Sequence, residues 1–221
     1  MSITSPQPVS DILASAHRSG SRRISVLGST GSVGVNTLDL VDFAIANGGM
    51  AIEIVALTAN CNVELLAQQA IHHKARFAAI ADESRFAELR DLLSGTGIEC
   101  GAGSSAVSEA AAIDADWVMA AIVGAAGLAP TLAAAKQGAD IAFANKECLV
   151  CAGDVFLEAI RMGGGKLLPV DSEHNAIFQV YDFDRPERIT RLLLTASGGP
   201  FRNWTQDRMA NVTVEQAVNH P

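Results

Sequence analysis

Short apolar runs alternate with stretches of helical periodicity along most of this chain. Residues 24–27, 51–57, 77–80, 117–120 and 141–144 are largely apolar runs of strand length. Between them, 36–46, 63–71, 84–93 and 128–137 place apolar residues one helical turn apart, as with Leu38, Val41 and Ile45, or Leu66 and Ala70. Strand-length runs separated by amphipathic helices predict an α/β fold, a Rossmann-like parallel sheet with helices on both faces. After about residue 150 the texture changes. Gly163, Gly164 and Gly165 separate a helix from a strand at 167–170, and 189–195 alternates as a longer strand would. A last helix is expected from Thr213, with Gln216 at capping-box spacing. The pattern divides the chain into a flexible tail (1–21), a sheet domain (22–150) and the first part of an incomplete α+β domain (151–221).

Composition narrows the class. Of 221 residues, 49% are hydrophobic but only 5% aromatic, so Ala, Val, Ile and Leu must build the core. A net charge of −8 argues against a nucleic-acid or anionic-membrane partner, and leaves an anionic substrate dependent on local donors. Residues 117–135 carry no charge, but Gly124, Gly127, Pro130 and many alanines fit a strand, a turn and a helix better than a membrane span. Cys148 and Cys151 form a lone CxxC with no second half to complete a metal quartet, so packing is the simpler role. Reduced thiols and a cytoplasmic location are expected. The Ser-rich start leaves a plastid transit segment as an alternative.

Three segments carry candidate chemistry. GSTGSVG, residues 28–34, follows the first strand and precedes a helix, the context in which backbone N–H groups cradle a dinucleotide's pyrophosphate. Its GxxGxxG spacing departs from the usual GxGxxG. The second strand ends Leu57-Thr58-Ala59-Asn60 without the acid that would hold a ribose 2′-hydroxyl, which favours a 2′-phosphate and hence NADPH. Asn145, Lys146 and Glu147 follow the apolar run 141–144. In LLPVDSEHNAIFQ, residues 167–179, Asp171 and Glu173 flank Ser172. If extended, that segment turns both acids to one side, a set suited to Mg2+ or Mn2+. As a turn entering a helix, the same acids would simply favour the helix dipole.

Together GSTGSVG, MAAIVGAAGL (119–128), ANKECLV (144–150), LLPVDSEHNAIFQ and TASGGPF (195–201) resemble the 1-deoxy-D-xylulose 5-phosphate reductoisomerase family, in its order. The resemblance implies NADPH- and divalent-metal-dependent rearrangement and reduction of that phosphorylated sugar to 2-C-methyl-D-erythritol 4-phosphate. It assigns Thr30, Gly31, Ser32, Val33, Asn62, Asn145 and Glu147 to NADPH and Asp171 and Glu173 to the metal. Lys146, Ser172, Glu173, Ser197 and His220 go to substrate, with Lys146 and Glu173 catalytic. It also implies a homodimer of the full-length form. Asn60-Cys61 stands where many relatives have Gly-Lys, removing a cation expected near the 2′-phosphate. The family continues past Pro221, so this chain by itself is expected to bind cofactor without turnover. A non-catalytic dinucleotide-binding fragment and another NADP-dependent dehydrogenase are the alternatives.

Overall fold

A computed structural model describes residues 21–48 and 51–219. The expected tail falls almost wholly outside these residues. Seven strands form one sheet: β1 (Arg22–Leu27), β2 (Ile52–Ala59), β3 (Phe77–Ile80), β4 (Glu99–Ala102), β5 (Trp117–Ala120), β6 (Asp140–Phe143) and β7 (Leu167–Pro169). All neighbours pair in parallel, in the order β4-β3-β2-β1-β5-β6-β7. The chain therefore winds outward from β1 to one edge, then returns to β1's other side through β5. That reversal makes β1/β5 the switch point, where open α/β sheets hold ligands beyond the strands' carboxyl ends.

The connecting helices are α1 (Ser32–Ala46), α2 (Val63–His73), α3 (Phe86–Leu92), α4 (Gly103–Ala112), α5 (Leu128–Lys136) and α6 (Lys146–Gly163). Alternation along the strands sorts them into two layers. Ile24, Val26, Ile54, Ala78, Ile80 and Met119 meet α1, α2 and α3 through Leu38, Val41, Leu66, Ala70 and Leu89. On the other face, Leu27, Val118, Ala120, Ile141 and Phe143 meet α5 and α6, while Ala56, Phe77 and Ala79 meet α4. Alanine supplies much of that second layer, which is how a core with so few aromatic rings closes: small side chains let the helices lie close. Cys148 is buried there, consistent with a packing role.

The structure departs from the sequence-based expectations at several elements. β4 and α4 were not expected, because ECGA holds no β-branched residue and α4 opens on Gly-Ser-Ser. α1 begins four residues earlier than its apolar periodicity, so Ser32 and Val33 already belong to its first turn. The expected strand at 189–195 is not a strand. Its alternation needs a neighbour to pair with, yet the sheet ends at β7 and Leu192, Leu193 and Leu194 stand exposed. Beyond α7 (Ser172–Val180), the described residues add 3-10 turns and two short helices, α8 (Gln206–Met209) and α9 (Val214–Val218). Thr213 and Gln216 do close the expected capping box at α9.

A candidate active site at the sheet's switch point

Four loops rise from the carboxyl ends of β1, β5, β6 and β7, and three of the expected motifs sit on them. After β1, Gly28 turns the chain with φ +85°, donating its N–H to Thr58 Oγ1 at 2.9 Å. Ser29 is fully buried, bonded to Gln69 by a 2.8 Å side-chain contact and by Gln69 Nε2 reaching the Ser29 carbonyl at 3.0 Å. Thr58 and Gln69 were missed in the sequence, since neither belongs to a motif. They hold the loop onto β2 and α2. A Cβ on Gly34 would lie 2.3 Å from the Gly28 oxygen, so that glycine lets loop and helix pack. Gly31 differs: its Cβ would meet only the Gly28 oxygen at 3.5 Å. Gly31 and Ser32 are exposed at the start of α1, whose first N–H groups lack helical partners. Thr30 and Val33 are partly exposed beside them.

Asn145 is a second buried polar anchor of this rim, 2% exposed. Its Nδ2 donates to the Ile122 and Gly124 carbonyls at 2.6 and 2.8 Å, tying the loop after β6 to the loop after β5. Its Oδ1 is buried without a protein partner. Asn62, three residues beyond β2, caps α2 by accepting from the Leu65 N–H at 3.2 Å. Glu147 is exposed in the first turn of α6.

At the β7 loop the extended reading of DSE gives way to the helical one. β7 stops at Pro169 and α7 starts at Ser172, so Asp171 is an N-cap, accepting from the His174 N–H at 3.4 Å. The Asn175 amide anchors this turn, donating to the Pro169 carbonyl at 2.7 Å. Asp171 is 15% exposed and fully engaged. Lys146 Nζ lies 2.8 Å from Oδ2, and His174 Nδ1 lies 2.8 Å from Oδ1. The Lys146 ammonium holds the Asp171 carboxyl down at about 2, with help from the His174 N–H. In return Asp171, then Glu173 and Glu147, push the Lys146 pKa up. The expected extended convergence of Asp171 and Glu173 is therefore not what the chain forms: Asp171 alone contacts Lys146, and Glu173 acts on that ammonium only through its charge.

Glu173 also lines a groove of about 450 Å3 with Ile177, Val180, Tyr181, Leu192 and Leu193. Ser172 is exposed at the first turn of α7. Ser197 is exposed in its own loop, where Oγ accepts from the Gly199 N–H at 3.2 Å. His220 lies outside the described residues.

A parallel sheet with a glycine loop, a buried amide and a lysine-acid pair on its switch-point rim defines a Rossmann-like α/β protein. Comparison with known proteins narrows that class. The family model described as 1-deoxy-D-xylulose 5-phosphate reductoisomerase matches residues 24–153, and that of its C-terminal domain matches 167–221. A reductoisomerase of that name from Allorhizobium ampelinum is 56% identical over 200 residues, 90% of this chain and 50% of the relative. That from Rhizobium meliloti is 58% identical over 200 residues, 90% of this chain and 51% of the relative. A solved reductoisomerase from Zymomonas mobilis, in complex with NADPH, superposes with a TM-score of 0.84 at 48% identity, over 91% of this chain and 52% of that one. Another, in complex with NADPH, fosmidomycin and magnesium, gives 0.77 at 36% identity, over 90% and 51%. The chain belongs to the 1-deoxy-D-xylulose 5-phosphate reductoisomerase family. It spans about half the length of the relatives it matches.

Proposed function

We propose that this chain supplies the cofactor platform and part of the reaction centre of an NADPH- and divalent-metal-dependent reductoisomerase acting on 1-deoxy-D-xylulose 5-phosphate. In this reading residues 22–150 hold the dinucleotide and 151–221 begin the metal- and substrate-binding part. One observation carries it: Lys146 Nζ pairs with Asp171 at 2.8 Å, within the field of Glu173 and Glu147, on the rim that also bears the glycine loop.

The residues fit both groups. Gly31 leaves open space where a pyrophosphate would need close backbone approach, and Asn145 Oδ1 is a buried acceptor awaiting a donor. Thr30, Gly31, Ser32 and Val33 would hold the phosphates, with Asn62, Asn145 and Glu147 placing the rest of the dinucleotide. β2 runs out through Ala59 into Asn60-Cys61-Asn62, uncharged residues that leave room for a 2′-phosphate. Asp171 stays ionised at any physiological pH, so it and Glu173 offer the hard oxygens that Mg2+ or Mn2+ requires. When bound, NADPH supplies a hydride and the cation polarises substrate oxygens. Lys146, 59% exposed, can leave Asp171 and donate to a substrate hydroxyl, offsetting charge that builds as the carbon skeleton rearranges. Ser172 and Ser197 would bind substrate beside it, as would His220.

Calorimetry on the 221-residue chain checks the cofactor half. NADPH should bind more tightly than NADH, and equal or reversed affinities would remove the 2′-phosphate argument. Asp171→Asn checks the metal half. Even changes behind a metal's own ligands cost about 10–100-fold in affinity, so Mg2+ or Mn2+ binding should weaken at least ~10-fold while NADPH affinity holds. Unchanged metal binding would take Asp171 out of the site.

A further inference from the structure

Asp42 on α1 and His72 and His73 at the end of α2 meet on the helix layer, well away from the rim. Asp42 Oδ2 lies 3.1 Å from His72 Nε2 and Oδ1 lies 3.6 Å from His73 Nδ1. One donor atom from each residue falls within 4.8 Å of the others. Zinc binds imidazole nitrogen and carboxylate oxygen at about 2.0–2.2 Å in tetrahedral sites, which puts neighbouring donors about 3.3–3.5 Å apart. The two Asp–His separations, 3.1 and 3.6 Å to different oxygens of the carboxylate, lie on either side of that range, and the whole donor set lies within 4.8 Å. The rings stand edge to face, centroids 4.6 Å apart and planes at 86°, so their nitrogens approach from different directions. His73 is held by packing, its side chain only 6% exposed, whereas His72 and Asp42 are 64% and 46% exposed and open a path from solvent.

We propose that Asp42, His72 and His73 form a binding site for a borderline divalent cation such as Zn2+, separate from the oxygen-rich acids of the rim. Two imidazoles and one carboxylate select against Mg2+, which demands hard oxygen donors, and for the later transition metals. A fourth position remains for water, as in sites with three protein ligands. Asp42 lies ten residues into α1, about 15 Å along its axis from the glycine loop. The ion would tie α1 to α2 there without entering the cofactor cradle.

The test titrates Zn2+ into the 221-residue chain in excess Mg2+, comparing wild type with His72→Ala and Asp42→Asn. Both replaced side chains are exposed, so the fold should hold, and NADPH binding checks that it does. The wild type should take up one more equivalent of Zn2+ than either variant, or bind it at least ~10-fold more tightly. Zn2+ should also shift the imidazole nitrogen resonances of His72 and His73 and raise the thermal midpoint of the wild type alone. Equal zinc uptake by all three proteins, or unmoved His72 and His73 resonances, would overturn the assignment. Cysteines or the rim would then be the zinc ligands. NADPH binding is independent of this outcome, so failure here leaves the reading of the rim untouched.

Discussion

At the scale of single residues, the glycine loop shows how one motif mixes two demands. Gly34 is required by the protein itself: a Cβ there would sit 2.3 Å from the Gly28 oxygen and 2.5 Å from the Ser29 Cα, both backbone atoms that cannot swing aside. Gly31 has extended backbone, φ −78° and ψ 167°, and no neighbour closer than 3.5 Å to an added Cβ. Nothing within the protein itself requires a glycine there. Gly34→Ala should therefore cost about 1–3 kcal/mol in denaturant unfolding, the range for overpacking, and weaken NADPH binding as the loop shifts. Gly31→Val should unfold within about 0.5 kcal/mol of wild type, as surface changes usually do, yet lose NADPH affinity at least ~10-fold. If Gly31→Val binds NADPH normally, the pyrophosphate does not lie on this turn.

At the scale of elements, the sequence was most readable where apolar runs are continuous. β1, β3, β5 and β6 lie where their runs predicted, because strands buried on both faces need no polar alternation. The edge strand β4 carries Glu99 and Gly101, and nothing local distinguishes it from a loop. Residues 189–195 show the reverse fault, a strand pattern without a neighbour. The candidate site was legible as motifs but not as geometry. Spacing could not choose between an extended DSE and an N-cap, since the choice depends on where β7 stops. Once α7 starts at Ser172, Asp171 becomes the link between α6 and α7 through Lys146. Its pKa is lowered from 3.8 to about 2. A depressed carboxylate contributes stability that is complete above its unfolded pKa and lost as pH falls through the folded one. The α6–α7 link should thus be intact at neutral pH and fade only between about pH 4 and pH 2. Carbon-13 NMR titration of the Asp171 carboxyl checks this, and Lys146→Met should move that pKa back up. An Asp171 that titrates near 4 in the wild type would mean Lys146 is not its partner in solution.

At the scale of the whole molecule, the two halves of the sheet meet along β1 and β5, with one clamp at the amino end of that seam and a second beside its carboxyl end, between the loops after β5 and β6. At the amino end, Arg23 Nη2 donates to Asp116 Oδ1 at 2.8 Å and its backbone N–H to Oδ2 at 2.9 Å, with Asp114 as a further partner. At the carboxyl end, Asn145 holds the Ile122 and Gly124 carbonyls, behind the loop that faces the glycine turn. The Gly28 position touches that loop as well, since a Cβ there would lie 3.0 Å from the Ala121 backbone. In the proposed reading function sits at the carboxyl end only, so the clamps should separate stability from binding. Asn145→Ala removes the donor from two carbonyls in a buried setting, a loss of about 1–3 kcal/mol. It also frees the loop that lies against the glycine turn, the proposed dinucleotide cradle, so NADPH affinity should fall with it. Arg23→Ala breaks a half-exposed ion pair, a loss of about 1 kcal/mol or less. NADPH affinity should not change, because the rim lies at the other end of the strands. Thermal melts and NADPH titrations on the two variants make the comparison. An Arg23→Ala protein that melts only slightly lower but loses its cofactor would show the two ends of the seam to be coupled, and the site would then depend on the whole sheet and not on its rim alone.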